Sequence, residues 1–131
     1  MTSPMRAATL LAVVAGLLTR PSLSRAAVRS FHSPSRNIEC QLAFHYAGST
    51  LAYCETFVPE RSARLRANGR TRFCHGERCL SNGPTNAFTL RYGHSVRVGP
   101  FRCSSSRRGM RCVVMRSGHG FFISRERLTR F

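Results

Sequence analysis

The sequence predicts an all-β domain, a small antiparallel sandwich or barrel of about seven or eight short strands stapled by disulfides. Apolar and polar residues alternate over several short segments, which is typical of strands with one buried face. Turn residues separate these segments at intervals of roughly ten residues. Six cysteines in 131 residues, an even number, indicate a disulfide framework in an exported chain. One short helix is compatible with this pattern.

A signal peptide is predicted at residues 1–26, followed by a single secreted domain at residues 27–131. A positively charged N-terminus precedes the apolar run Ala7–Leu18, and small residues stand at Ser24 and Ala26, as before a signal-peptidase site. The run is shorter than the about twenty residues that a membrane helix needs, which disfavours the alternative of an uncleaved anchor. The expected location is therefore secreted or periplasmic.

The charge is strongly one-sided. All 21 basic residues are arginine, five glutamates are the only acidic residues, and the formal net charge is +16. Without the signal peptide the domain keeps 18 arginines, a net charge of +13. Such a charge favours an anionic partner, which includes acidic polymers, acidic proteins, lipid headgroups and nucleic acid. The exclusive use of arginine also fits codon bias in a GC-rich genome.

The first predicted strands form a meander. Ile38–Phe44 alternates cleanly, Val28–Ser33 precedes it across a turn containing Pro34, and Thr50–Thr56 follows a turn containing Gly48. If Phe44 pairs with Thr50, the same register places Cys40 opposite Cys54. Directly opposed residues lie about 4.5–5.5 Å apart, a distance that a disulfide can close.

The segment Gly99–Arg125 predicts a second cysteine hairpin, with Cys103 opposite Cys112 and Phe101 opposite Val114 across a loop at 106–109. Phe31–Leu42 is a fainter copy of it. Further strands are predicted at Phe88–Tyr92, Val96–Val98 and Phe121–Ser124. The tail that follows Ser124 is too short and too charged to assign.

The middle of the chain leaves two structures open. Pro59–Arg72 holds five arginines and is either a short helix, with Pro59 at its start and Gly69 at its C-cap, or a basic loop. Cys74 and Cys79 would close a small clip. Zinc is the alternative there, but a second pair with ligand spacing is absent from the sequence, so no metal or other cofactor is expected. Six cysteines allow fifteen pairings. The hairpin registers favour Cys40–Cys54 and Cys103–Cys112, and the clip Cys74–Cys79 completes the expected set.

The opening FHSPSRNIECQL, an aromatic residue followed by S-P-S-x-N-I-x-C, resembles a family of uncharacterised secreted bacterial proteins. A cysteine before an acidic residue at Cys54-Glu55, the L-x-Y-G of Leu90–Gly93 and the G-H-G-F of Gly118–Phe121 are also similar to it. The resemblance covers about 31–55 and 90–125, and the arginine-rich middle departs from it. It implies export and a cysteine-stapled domain of unknown function, with no catalytic residue.

The sequence favours a non-enzymatic module, since it contains none of the common hydrolase, metalloprotease or phosphate-loop motifs and has no aspartate. No catalytic residue is assigned. The alternative is a small secreted nuclease-like hydrolase that combines histidine, arginine and the glutamates Glu39, Glu55 and Glu77. The candidate binding residues are the arginines of the middle segment, the pair in the second hairpin turn and one turn histidine: Arg61, Arg64, Arg66, Arg70, Arg72, Arg107, Arg108 and His119.

Two observations weigh on these candidates. Guanidinium groups bind phosphate and carboxylate through two parallel hydrogen bonds, which lysine cannot do. Nucleic-acid binding also gains from aromatic rings among the charges, and the segment 61–72 contains none, so a solvated basic surface is the favoured interpretation there. His119 lies between two glycines, where a turn histidine bonded to nearby backbone is favoured over a ligand or catalytic histidine.

Overall fold

The computed structural model describes residues 2–5, 9, 11–12, 16, 25–84 and 86–131, and the predicted signal peptide falls largely outside the described residues. Within them, eleven strands form two sheets that pack face to face without closing into a barrel. This confirms the predicted all-β, disulfide-stapled sandwich. The number of strands exceeds the predicted seven or eight because the middle segment and the C-terminal tail also form strands. The one helix in the described residues is a single 3₁₀ turn, Glu77–Cys79.

Sheet A contains six strands in the order β5-β4-β3-β2-β1-β6. Their bounds are β1 Ala27–His32, β2 Ile38–Tyr46, β3 Ser49–Phe57, β4 Glu60–Arg66, β5 Thr71–His75 and β6 Phe88–Thr89. Neighbours are antiparallel except β1 and β6. The turn between β2 and β3 contains Ala47 and Gly48, both at positive φ, as the hairpin turn of this length requires.

Sheet B contains five antiparallel strands in the order β11-β10-β9-β8-β7. Their bounds are β7 Ser95–Val98, β8 Phe101–Ser106, β9 Gly109–Val114, β10 Gly120–Ile123 and β11 Leu128–Arg130. The predicted loop between β8 and β9 is shorter than expected, because Ser106 and Gly109 already pair and only two arginines form the turn.

The core lies between the two sheets, where alternate side chains of each strand meet. Its largest buried members are three phenylalanines, four aliphatic residues and the cysteines of two disulfides: Phe31, Phe101, Phe121, Leu42, Leu65, Met110, Ile123, Cys40, Cys54, Cys103 and Cys112. The opposite face of each sheet carries mainly polar and charged side chains, with a few aromatic residues among them. That alternation, which the sequence shows strand by strand, decides which residues are available for binding.

The three favoured disulfides are all present, Cys40–Cys54, Cys74–Cys79 and Cys103–Cys112. The two hairpins of the predicted echo occupy equivalent places. Phe31 pairs with Cys40 in sheet A, and Cys103 pairs with Cys112 in sheet B. The cysteines at the equivalent position are Cys40 and Cys112, but their disulfides differ. Cys40 joins β2 to β3, whereas Cys112 joins β9 back to β8. The echo therefore describes the backbone and not the cross-link.

Both structures considered for Pro59–Arg72 are wrong, because this segment is the hairpin of β4 and β5. Residues 58 and 59 form the turn after β3, with a cis peptide bond between them, and Gly69 lies in the next turn with a φ of 86°. Ala63 and Leu65 are buried at a spacing of two, which is the strand period. Pairing β4 with β3 over seven residues satisfies the backbone groups of β3, and this tertiary pairing overrides the local helix signals.

Candidate functional site

The outer face of sheet B carries five arginines, Arg97, Arg102, Arg108, Arg111 and Arg127, which we call the arginine face. Three of them come from adjacent strands β7, β8 and β9, where they alternate with buried residues and are exposed. Arg108 lies in the β8–β9 turn, and Arg127 lies in the turn before β11. Residues 95–131 contain one acidic residue, Glu126, so the local charge is strongly positive.

Two aromatic rings lie among these arginines. Phe122 of β10 pairs directly with Arg111 across the strands and is half-buried. Phe131 follows β11 and exchanges two backbone hydrogen bonds of 3.1 Å with Gly120. The guanidinium carbon of Arg111 lies 4.2 Å from the centre of the Phe131 ring, within the range of a cation–π contact. The Phe131 side chain is still 41% exposed.

A concave region of about 560 Å³ opens at one end of this face. Phe122 lies in its lining together with Arg108, Arg127 and Glu126. Gly109 is buried next to it, and a Cβ there would lie 2.8 Å from the Cζ of Phe122. The glycine therefore leaves room for the Phe122 ring to pack close to the β8–β9 hairpin. The region combines an apolar floor, two cations and one carboxylate.

The outer face of sheet A is different because it holds a buried carboxylate. Glu55 is 1% exposed and accepts hydrogen bonds from the Tyr53 hydroxyl at 2.6 Å and from the backbone N–H of Ser81 at 2.8 Å. The Tyr53 hydroxyl also lies 2.7 Å from the carbonyl oxygen of Cys79. The segment between the 3₁₀ turn and β6 thus covers Glu55, and the Cys74–Cys79 clip anchors the start of that segment.

A pocket of about 210 Å³ lies beside Glu55, which we call the carboxylate pocket; it is lined by Glu39, Gln41, Tyr53, Glu55, Arg64 and Ser81 among others. Glu39 pairs directly with Glu55 across β2 and β3. Burial, and next the negative charge of Glu55, raise the pKa of Glu39, while His32 opposes this. Burial and the hydrogen bond with Glu55 raise the pKa of Tyr53.

The structure separates the predicted binding arginines. Arg64 and Arg72 pair on the outer face of sheet A, where Arg64 lies 5.4 Å from the centre of the Tyr53 ring, and Arg66 is exposed on the same face. Arg70 lies in the β4–β5 turn. Arg61 is half-buried and donates hydrogen bonds to the carbonyl oxygens of Ser124 and Arg125, so it ties β4 to the end of β10.

The turn candidates also go to different places. Arg107 is exposed and lies 5.3 Å from the ring centre of Tyr92, whereas Arg108 belongs to the arginine face. His119 is exposed and packs against Gly69. A Cβ added at Gly69 would lie 3.1 Å from the Cβ of His119. Glu55 pairs with Ser62 near the start of β4, while Gly69 follows the end of β4. His119 and Glu55 are therefore at opposite ends of this strand.

Sequence reasoning missed the arginine face as a unit. Arg102 and Arg111 are in predicted strands, and the alternation already turns both outward. What the sequence lacked was the strand order: β10 pairs with β9 and brings Phe122 beside Arg111, and β11 pairs with β10 and brings Phe131 beside the same arginine. The signal available was a single arginine between two apolar residues in each strand, V-R-V at 96–98, F-R-C at 101–103 and M-R-C at 110–112. This pattern shows which side of a strand the arginine occupies but not which strands are its neighbours.

Comparison with known proteins gives one match. The model of a family of unknown function, DUF6636, matches residues 60–131, which include β4 and β5, all of sheet B and the arginine face. The opening block 31–55 of the resemblance lies outside the matched residues, whereas the arginine-rich middle that departed from it lies largely inside. No curated protein and no protein of solved structure matches the chain. In the described part of the chain, no helix has the length and apolar character to cross a bilayer. The matched segment is more than half of the sequence, and the chain belongs to this family of unknown function, DUF6636.

Proposed function

We propose that this protein is an exported, non-enzymatic module that binds an anionic polymer through its arginine face. The observation that supports this most directly is the set of five arginines on one side of sheet B, where Glu126 is the single acid. A row of guanidinium groups on adjacent strands suits a ligand that repeats its negative charge. Each group can bind phosphate or carboxylate through two hydrogen bonds.

The contrast between the two outer faces supports the choice of sheet B. Sheet A exposes Arg64, Arg66 and Arg72, but Glu39 and Glu55 lie in the same face and offset part of their charge. A polyanion that approaches sheet A would meet carboxylates, whereas on sheet B it meets one carboxylate at one end. Local electrostatic complementarity of this kind steers association more than net charge does.

Two triple variants with the same change in net charge test the proposal. Arg97→Gln/Arg102→Gln/Arg111→Gln removes three charges from the arginine face, and Arg64→Gln/Arg66→Gln/Arg72→Gln removes three from sheet A. Binding to long-chain polyphosphate, measured by titration calorimetry at several salt concentrations, should weaken strongly in the first variant and only slightly in the second. Equal loss in both would mean that binding follows net charge and not a face.

Export is part of the proposal and has its own support. Three disulfides join all six cysteines, and disulfides persist in oxidising compartments. The first strand begins at Ala27, next to the predicted cleavage site. Expression in a bacterial host, followed by fractionation and N-terminal sequencing, tests this. A mature N-terminus near residue 27 in the exported fraction is the expected result, and an intact chain in the cytoplasm would contradict export.

A second candidate function is phosphodiester hydrolysis in the carboxylate pocket. The observation that favours it is the convergence of Glu39, Glu55, Tyr53 and Arg64, with His32 paired to Glu39 across the strands. A glutamate whose pKa is raised keeps its proton to a higher pH than an ordinary carboxyl, which suits a general acid, and an arginine can hold the phosphate. RNA cleavage by the oxidised protein that is lost in Glu39→Gln and kept in His119→Ala would support it. If the protein cleaves no RNA, this second candidate is wrong and the binding module stays the proposed function.

A further inference from the structure

We propose that the arginine face binds single-stranded nucleic acid, with one base stacked on Phe122 and another on Phe131. This inference rests on the proposed function and names its ligand class. It starts from the fact that the arginine face also carries two aromatic rings, Phe131, which is 41% exposed, and Phe122, which is half-buried. Proteins that bind single strands combine a positively charged surface for the backbone with rings on which bases stack.

The two rings are placed for neighbouring bases. Phe122 lies in the cross-strand row of Arg111, and Phe131 lies in the next row, opposite Gly120. Diagonal neighbours on adjacent strands are about 7–8 Å apart, so each ring can hold one base without displacing the other. The Phe131 side chain is 41% exposed, so part of its ring is accessible beside Arg111.

The arginines lie where the backbone of such a strand would run. Arg97 pairs with Arg102 across β7 and β8, and β9, which carries Arg111, lies between these two strands and β10. A strand whose bases rest on β10 and β11 therefore has its phosphates toward β8 and β7. Arg111 contacts the Phe131 ring already, so it can stack on a base or bind a phosphate without a large rearrangement.

The concave end of the face distinguishes a base from a phosphate. Glu126 lines it together with Phe122, Arg108 and Arg127. A carboxylate repels phosphate but accepts hydrogen bonds from the N–H groups on the edge of a base. The base therefore belongs in this region, against the Phe122 ring, and its phosphates belong at the two arginines on the rim.

Polyanions other than single-stranded nucleic acid would not make use of the two aromatic rings or of the concave region. Polyphosphate has no planar apolar group to place on either ring. In a duplex the bases are already stacked and paired, so they cannot lie flat on a sheet surface. The observations therefore favour a single strand over a duplex and over a polymer of charge alone.

The chain contains no tryptophan, which makes a direct optical test possible. Phe122→Trp and Phe131→Trp each introduce a single tryptophan on the face, and Phe57→Trp introduces one at an exposed phenylalanine of sheet A as a matched control. The ligands are oligo(dT), an abasic deoxyribose-phosphate oligomer of the same length, the matching duplex and polyphosphate. Oligo(dT) should quench the fluorescence of the first two variants and leave that of Phe57→Trp unchanged.

Affinity gives the second readout. Phe122→Ala and Phe131→Ala should each weaken oligo(dT) binding about fivefold or more, because base–ring stacking is lost, and should leave abasic binding unchanged. Phe57→Ala should change neither. Each arginine of the face that contacts a phosphate should contribute about 0.7 to the slope of the logarithm of affinity against that of salt.

The outcomes separate this inference from the proposed function. If the abasic oligomer and polyphosphate bind as tightly as oligo(dT), and no tryptophan is quenched, the face binds anions and the nucleic-acid assignment is wrong. Duplex binding as tight as that of the single strand also contradicts it. If no anionic ligand binds, or if binding survives loss of Arg97, Arg102 and Arg111, the proposed function fails as well.

Discussion

The Sγ atom of Cys54 lies 3.6 Å from the Sγ atom of Cys112, so the disulfide of one sheet packs directly against that of the other. Both cysteines are fully buried. The Cys40–Cys54 and Cys103–Cys112 bridges therefore act as core residues as well as cross-links, and the two sheets meet through sulfur at the centre of the sandwich. Sulfur is polarisable and packs well against neighbouring apolar groups.

This contact predicts unequal losses when disulfides are removed. Replacing Cys40 and Cys54 by alanine should lower the free energy of unfolding by about 3 kcal/mol through chain entropy, and further through the lost contact with Cys112. Replacing Cys74 and Cys79 should lower it by about 2 kcal/mol, since that bridge spans only five positions and Cys74 is exposed. Urea denaturation of each double variant measures the difference. A larger loss of unfolding free energy on removal of Cys74–Cys79 than of Cys40–Cys54 would contradict the role of the core disulfides.

Arg61 should matter for stability more than for binding. Its guanidinium group donates to the carbonyl oxygens of Ser124 and Arg125, the latter at 2.8 Å, and thereby joins the two sheets. Arg61→Gln should lower the free energy of unfolding by about 1.5–3 kcal/mol, the usual contribution of hydrogen bonds to a charged group. Arg64→Gln, on an exposed residue of the same strand, is the control and should change it by less than about 0.5 kcal/mol. Equal urea midpoints in the two variants would show that Arg61 does not clamp the sheets.

The Glu39 carboxyl should titrate above its ordinary value of 4.5. Because its pKa is raised in the folded protein, the folded state holds this proton more tightly than the unfolded chain. Its contribution to stability is therefore present below the unfolded pKa and is lost as the pH rises through the folded pKa. Glu39→Gln should remove this loss, so that the variant gains stability relative to the wild type as the pH rises from about 4 to 7. Denaturation at a series of pH values measures it.

The cause of that shift can be tested separately. NMR titration of the Glu39 side chain in Glu55→Gln should show a lower pKa than in the wild type, because the neighbouring charge is gone. It should still exceed the ordinary value, since burial is the larger cause. An unchanged pKa in Glu55→Gln would mean that the two carboxyl groups do not interact.

Gly120 should tolerate no side chain. A Cβ at this position would lie 2.0 Å from the carbonyl oxygen of Cys112, a backbone atom of the neighbouring strand. Gly120→Ala must shift β10 away from β9, and a loss of more than about 3 kcal/mol is expected from such overpacking. Gly48→Ala, in an open turn, should lose only about 1 kcal/mol through its positive φ. Thermal unfolding compares the two, and similar midpoints would contradict the close approach.

The fold was predictable because cysteines that form a disulfide across two strands indicate the register in which those strands pair. Placing Cys40 opposite Cys54 and Cys103 opposite Cys112 was enough to pair four strands, and both pairings occur in the structure. The registers also place one face of each strand inward, which identified most of the core. Strand alternation and opposed cysteines are local signals, and a sequence displays local signals directly.

Two features depend on pairings between consecutive strands that the side-chain pattern did not reveal, and these were not predicted. The segment Pro59–Arg72 carries helix-like end signals, but the unpaired edge of β3 recruits it as a strand. The charged tail becomes β11 only because β10 offers it backbone partners. The candidate site shares this difficulty, since Phe131 comes to lie beside Arg111 through that same pairing.

The two outer faces carry unequal charge, so the charge distribution of the molecule is asymmetric. Sheet A mixes Arg64, Arg66 and Arg72 with two glutamates, whereas sheet B carries five arginines and one glutamate. A sandwich of this kind has an electric dipole roughly perpendicular to its sheets. Near any extended anionic surface it should settle with sheet B inward, which leaves the carboxylate pocket facing the solution. Binding of the arginine face to such a surface would thus orient the carboxylate pocket toward the solution.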